Sequence, residues 1–318
     1  MKLLVVEELE SADSVHVTSL VDGYTNLVLT SEGKVERPPL GKDEKILPPL
    51  VAEHGFSALV EVSVQGEDHA VLFDGGASET AIIHNAKRLG IDLHKVEAVV
   101  LSHGHYDHFG GLVSALGEIS RKDVPLILHP DALLQRWLIL RNRNKFKLPV
   151  FNENLAKAAG ARTIKNTRPC WIGGDTILVS GEIARRTDFE RGLPDSYAER
   201  AEGLRKDPEI SDEQSLTVHV RRKGLIVISG CGHAGIINTL MQAQESTKVR
   251  NVQAVLGGFH LTGPAFANVV KNTVKELVKM SPRIVAPSHC TGCQATYAIM
   301  RAMPKSYVQN SVGSQLCF

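Results

Sequence analysis

Apolar positions alternate with polar ones, or gather into short runs bounded by glycine or polar turns, through the first third of the chain. This predicts strands at Val15 to Leu20, Thr25 to Thr30, Ala58 to Val64 and Ala70 to Phe73. A helical spacing follows over Glu79 to Leu89, then an apolar strand from Ala98 to Leu101. Beyond it the pattern predicts a helix near Gly111 to Leu116, a strand from Pro125 to Leu128 and a helix from Pro130 to Leu140. The second half repeats the grammar. Strands are expected at Thr176 to Val179, Leu216 to Val220, Leu225 to Ile228, Val252 to Leu256 and Ile284 to Ala286. Helices are expected at Ala234 to Gln244, Ala265 to Val278 and Ala295 to Met303. Two halves, each with strands first and helices later, suit an α/β sandwich of two sheets with helices outside.

The segment Arg185 to Ser215 breaks this rhythm, being dense in Arg, Glu and Asp and interrupted by Pro194 and Pro208. Two readings stand: a solvated surface excursion, or an arm that covers a site and touches substrate. We expect a single domain over residues 1–318 carrying this charged insertion at about 185–215.

Composition changes the picture mainly by exclusion. With 36 basic and 35 acidic residues, nothing marks a nucleic-acid or anionic-membrane partner, and the expected partner is a small molecule. The start, MKLLVVEELESADS, lacks the long apolar core of a secretion signal, and no apolar run is long enough to cross a bilayer. A cytoplasmic protein is expected, and five scattered cysteines fit reduced thiols rather than a disulfide framework. Oligomeric state is not legible.

The chemistry is concentrated in Ser102-His103-Gly104-His105-Tyr106-Asp107-His108, where three histidines and an aspartate fall within six residues directly after a strand. Imidazole nitrogens and carboxylate oxygens are ligands for divalent transition metals, and a loop at a strand end can turn them to one point. Three further strand ends carry candidates: Asp74 in Phe73-Asp74-Gly75-Gly76, Cys231 and His233 in Ser229-Gly230-Cys231-Gly232-His233, and His289 in Pro287-Ser288-His289-Cys290. Cys231 either ligates metal or packs as a small buried thiol. Cys290 and Cys293 are read as packing residues, since no second pair completes a structural zinc site. His260 is placed near substrate, with a structural histidine as the alternative; His54 and His129 are weaker candidates. His16, His69, His84, His94 and His219 are left out of the site.

The His-Gly-His-Tyr-Asp-His run resembles the signature of the metallo-β-lactamase superfamily. That resemblance implies an αββα four-layer sandwich and two divalent metal ions, zinc first, with iron, manganese or magnesium as the other candidates. It implies His103 and His105 on one ion, Asp107, His108 and His289 on the other, and Asp74 bracing the loop. Cys231 stands where relatives carry a bridging aspartate, and Gly181-Glu182 stands where hydrolases of the superfamily carry Gly-His. The missing third nitrogen ligand is then Glu182 or His233, and we favour His233.

Further stretches, among them Glu53-His54-Gly55, Asp212-Glu213-Gln214-Ser215 and Gly257-Gly258-Phe259-His260, resemble the branch named for 7,8-dihydropterin-6-methyl-4-(β-D-ribofuranosyl)-aminobenzene-5'-phosphate synthase. The branch implies a transferase that clamps a diphosphate leaving group while an arylamine attacks a pterin methylene carbon. The alternative is a binuclear metallo-hydrolase of an ester, lactone or phosphodiester. Asp107 and His233 are the expected catalytic residues in either case. Arg185, Arg186 and His260 are the expected substrate contacts; the arginines of the charged segment, Arg185, Arg186, Arg191, Arg200 and Arg205, suit a phosphorylated substrate.

Overall fold

A computed structural model of the chain describes residues 10–140 and 142–318. The short apolar start, residues 1–9, lies outside the described residues. Two sheets dominate. Eight strands are ordered Ala161–Lys165, Val124–Leu128, Val96–Val100, Glu67–Phe73, Ser57–Val64, Ser14–Val21, Gln315–Cys317 and Val35–Glu36. Six more are ordered Cys170–Ile172, Ile177–Val179, Ser215–Val220, Gly224–Ser229, Val252–Gly258 and Ile284–Ser288.

The period-two alternation of each strand decides the layering. Val60, Val62, Val71 and Phe73 from the first sheet meet Val218, Ile226, Ile228 and Leu256 from the second in one apolar core. Their neighbours Leu59, Ala70 and Leu72 point the other way, under the helices Glu79–Leu89 and Leu112–Ile119. Leu225, Val227 and Val255 likewise lie under Ile236–Thr247, Ala267–Met280 and Cys293–Ala302. The result is helix, sheet, sheet, helix, the four-layer sandwich expected from the sequence.

Both sheets contain a run of parallel strands, Glu67–Phe73 beside Val96–Val100 beside Val124–Leu128, and Gly224–Ser229 beside Val252–Gly258 beside Ile284–Ser288. Parallel pairing sends every connection back over a helical layer, so the carboxyl ends of neighbouring strands open at one rim. Asp74, His103, Cys231, His260 and His289 all follow such ends.

Two predicted elements are corrected. Thr25 to Thr30 is not a strand: the Asn26 side chain accepts the Val28 N–H at 3.0 Å, closing a turn, and Val28 is 76% exposed. Pro130 to Leu140 is not a helix but a single 3-10 turn, Pro130–Leu133, followed by the strand Arg136–Ile139. That strand joins Lys145–Lys147, Ser196–Arg200 and Gly203–Lys206 in a separate four-stranded sheet. The charged 185–215 segment therefore contributes two strands to ordered structure.

The reason lies at Arg136, which is 1% exposed. Its Nε donates to Asp207 at 2.9 Å and its Nη2 to Asp212 at 2.6 Å. Burial opposes the guanidinium charge, but the two carboxylates outweigh it and hold its pKa above the ordinary value. Asp212 also accepts the Gly104 N–H at 2.7 Å, so this buried network anchors the histidine loop to the small sheet. Removing one partner of such a network leaves buried charge uncompensated, so Arg136→Met should lower unfolding free energy by about 3–5 kcal/mol. Urea denaturation monitored by circular dichroism would measure this, and a loss under roughly 1 kcal/mol would show that the network carries little stability.

Candidate metal centre

The centre is built outward from Asp74, a fully buried side chain at the end of the Glu67–Phe73 strand. Its backbone sits at φ 61°, a left-handed conformation uncommon outside glycine, which turns the carboxylate under the next loop. Asp74 accepts the Ser102 N–H at 2.6 Å, the Ser102 hydroxyl at 2.7 Å and His108 Nδ1–H at 2.7 Å. Ser102 has one proton and gives it to Asp74, so its oxygen receives Nδ1–H of His103 at 2.9 Å. Both imidazoles are thereby assigned the tautomer that leaves Nε2 as a lone pair facing the cleft. Gly230 completes the fit, because a Cβ there would strike the Ser102 hydroxyl.

Three nitrogens converge at one end of the cleft. His103 Nε2 lies 2.9 Å from His105 Nδ1, and His103, His105 and His233 offer ligand atoms within 4.8 Å of one another. At the other end, Asp107, His108 and His289 do the same. His289 Nε2 lies 3.3 Å from Asp107 Oδ2 and 3.2 Å from His108 Nε2. Cys231 Sγ falls between, forming one such triad with His103 and His108, another with His233 and His260, and a third with His289 and Cys290. A thiol thus lies within 4.8 Å of His103 from one end and His108 from the other.

Electrostatics agree with this use at the His103, His105 and His233 end, whereas at the other end burial is outweighed by Cys290 and Asp107, which hold His289 well above the ordinary histidine value. Burial, reinforced by neighbouring imidazoles, holds His103 and His233 well below the ordinary histidine pKa, and burial together with Arg136 lowers His105 to about 4. Neutral rings keep the lone pairs that a metal needs. For Asp107, burial resists ionisation, but His108 and His289 outweigh it and hold the carboxyl well below its usual range. Burial pushes the Cys231 thiol up; for Cys290, burial is outweighed by the Cys231 hydrogen bond and by His289 and His260, and the thiol is held down.

The residues fit a metal ion on the structure's own terms. His105 Nε2, both ring nitrogens of His233 and His289 Nδ1 are buried without a hydrogen-bond partner. Each such atom costs about 1–3 kcal/mol, a cost an ion at His233 would relieve. The donor set of imidazole, carboxylate and thiol suits a borderline divalent cation.

Several supporting residues act from elsewhere in the chain. Glu213, 1% exposed, accepts the backbone N–H groups of Gly232 and Ala234 and so holds the loop bearing Cys231 and His233. Glu190 accepts from Ile237 and Asn238, each at 2.9 Å, capping the helix that follows; burial raises its pKa to about 7. Asp22 accepts the His289 N–H at 2.8 Å. Only Asp212-Glu213 stood inside a motif noticed in the sequence; the others act across 47 to 267 positions.

The remaining candidates separate clearly. Glu182 bonds His129 Nε2 at 2.9 Å, so the third nitrogen near His103 and His105 is that of His233. His54 reaches Asp107 at 3.4 Å from an exposed position. Arg186 pairs with Glu245 on the exterior, and Arg185 bonds the Glu209 carbonyl. The arginine that lines the adjoining cavity is Arg191, with His260 and His233. Cys290, read as a packing residue, instead lies 3.1 Å from Cys231 Sγ, because the turn after the Ile284–Ser288 strand swings it into the cleft; Cys293 is exposed.

The cavity holds about 240 Å³ between the 185–215 segment and the second sheet. Phe189, Phe259, Phe266 and Leu261 line its walls, and Gly232 and His233 form the end toward the metal triads.

Residues 52–149 match the family model of the metallo-beta-lactamase superfamily. An uncharacterized protein of Methanocaldococcus jannaschii is 33% identical over 77% of this chain and 86% of its own. The 7,8-dihydropterin-6-methyl-4-(beta-D-ribofuranosyl)-aminobenzene-5'-phosphate synthase of the same organism is 28% identical over 85% of this chain and 92% of its own. A solved metal-dependent hydrolase of the beta-lactamase superfamily superposes with a TM-score of 0.72 at 27% identity, covering 95% of this chain and 98% of that one. With its sandwich fold and rim of histidines, the chain belongs to the metallo-β-lactamase superfamily. No helix among the described residues is long and apolar enough to cross a membrane.

Since Asp74 sets the orientation of two candidate ligands, Asp74→Asn should lower metal affinity about 10–100-fold while the fold survives. Competition against a chromophoric chelator would read this, and unchanged affinity would remove Asp74 from its bracing role.

Proposed function

We propose that the chain is a transferase with two divalent ions, one held by His103, His105 and His233, the other by Asp107, His108 and His289, with Cys231 between them. Bound ions of this kind stabilise the negative charge that builds on a departing diphosphate. The observation that carries the reading is the Cys231 sulfur grouped with His103 of one triad and His108 of the other. A carboxylate there would fix and orient an attacking water; a thiol does this poorly, which weakens hydrolysis more than phosphate clamping.

The cavity supports the same reaction class. Its aromatic walls suit a flat ring, whose reacting carbon would then meet His233 and the metal-binding end. Asp107 and His233 are the residues we place against the reacting atoms, with His260 beside them and Arg191 near the phosphate. Arg185 and Arg186 are the further phosphate contacts we propose: Arg185 bonds the Glu209 carbonyl through Nη2 while its Nε and Nη1 have no hydrogen-bond partner among the described residues, and Arg186 pairs with Glu245. The relative named as a synthase directs attention to a dihydropterin and a ribofuranosyl-aminobenzene phosphate as the two substrates.

A metallo-hydrolase is the second reading, favoured by the hydrolase whose structure superposes along nearly the whole chain. The metal-loaded protein should condense hydroxymethyl-dihydropterin diphosphate with ribofuranosyl-aminobenzene phosphate and turn over simple esters, lactones and phosphodiesters only weakly. Product formation by mass spectrometry beside a hydrolase substrate panel decides it. Efficient hydrolysis of a simple ester without condensation would reverse the assignment.

A further inference from the structure

The corner of the cleft where His260, Cys231 and Cys290 meet has a chemistry unlike the histidine-rich remainder. Cys231 Sγ lies 3.1 Å from Cys290 Sγ and 3.3 Å from His260 Nδ1. Cys231, His289 and Cys290 present ligand atoms within 4.8 Å of one another. Cys290 is placed there by several fixed points. Thr291 Oγ1 accepts the Phe259 N–H at 3.1 Å and donates to the Ser288 carbonyl at 2.7 Å, tying the turn to the neighbouring strand. Thr262 donates to the Cys290 carbonyl at 3.0 Å. Gly258 leaves the space that the sulfur occupies, since a Cβ there would come 3.0 Å from Cys290 Sγ.

We propose that Cys290 is a metal ligand and that Cys231 and Cys290 act as a dithiolate pair, making the centre selective for a thiophilic divalent ion such as zinc over magnesium or manganese. The inference rests on the metal-centre reading above and adds a ligand and a metal class to it. Thiolate donors favour zinc, cobalt and iron, whereas magnesium and manganese prefer oxygen. Through His289 the two sulfurs border the ion assigned to Asp107, His108 and His289, adding soft donors to its imidazole and carboxylate ligands. Two zinc–sulfur bonds of about 2.3 Å at a tetrahedral angle separate the sulfurs by roughly 3.8 Å. A disulfide would bring them to about 2.05 Å. The spacing of 3.1 Å lies between the two.

Cobalt substitution distinguishes the outcomes without relying on activity. The full chain, purified under reductant and loaded with Co(II), should show a sulfur-to-cobalt charge-transfer band in the near ultraviolet. Cys290→Ser and Cys231→Ser should each remove about half of its intensity, with metal affinity falling roughly 10-fold or more. Cys293→Ser, at an exposed position, should leave the band unchanged and serves as the control for thiol substitution. Excess magnesium should not displace the cobalt. Cobalt bound in full with no sulfur band, or with a band that Cys290→Ser leaves intact, would overturn the dithiolate while the histidine centre stands. A Cys231–Cys290 disulfide persisting in the metal-loaded protein would overturn it too. Failure of the parent to bind cobalt at all would sink the metal-centre reading and this inference with it.

Discussion

The Asp74 carboxylate is the constraint on which the rest of the site depends. Fully buried, it receives hydrogen bonds from Ser102 twice and from His108 once. Those bonds set the tautomers of His103 and His108, so that both rings present lone pairs to one cleft. A carboxylate in so dry a place is tolerated only because its oxygens are paired. The pairing is what binds the first sheet's two central strand ends into a single rigid rim.

The second sheet supplies its half of the cleft through other buried carboxylates. Glu213 gathers the loop that carries Cys231 and His233, and Asp22, from the first sheet, fixes the backbone of His289. Asp212 reaches back to Gly104 and shares Arg136 with Asp207, so the small sheet of the 185–215 segment is electrostatically joined to the histidine loop. The same segment supplies Glu190 and the aromatic wall at Phe189, which border the cavity beside His233. A charged insertion is thus converted from surface into part of the cleft by four buried acids, Glu190, Asp207, Asp212 and Glu213.

Much of this was legible in the chain because it is local. Alternating apolar positions reported the two faces of each strand, and His103, His105, Asp107 and His108 are neighbours in sequence as they are in space. What escaped was long-range. The pattern around Arg136 looks helical until two aspartates more than 70 positions away claim its guanidinium and draw it into a strand. Cys290 looked like a packing residue because no second cysteine pair completes a structural zinc site with it and Cys293, whereas its neighbour in space is Cys231, 59 positions earlier. Arg185, Arg186, Arg191, Arg200 and Arg205 drew attention by charge alone, and charge does not say which of them lines a cavity; in the structure Arg191 does.

The central claim is that the rim of this sandwich holds two metal ions with the Cys231 sulfur between them. Crystals of the zinc-loaded protein, measured on both sides of the zinc absorption edge, test it most directly. The account predicts two anomalous peaks, one within about 2.0–2.2 Å of His103, His105 and His233 and one at similar distances from Asp107, His108 and His289, with Cys231 Sγ in contact at about 2.3 Å. A single peak, or two peaks with the Cys231 sulfur turned away into the apolar core, would contradict it.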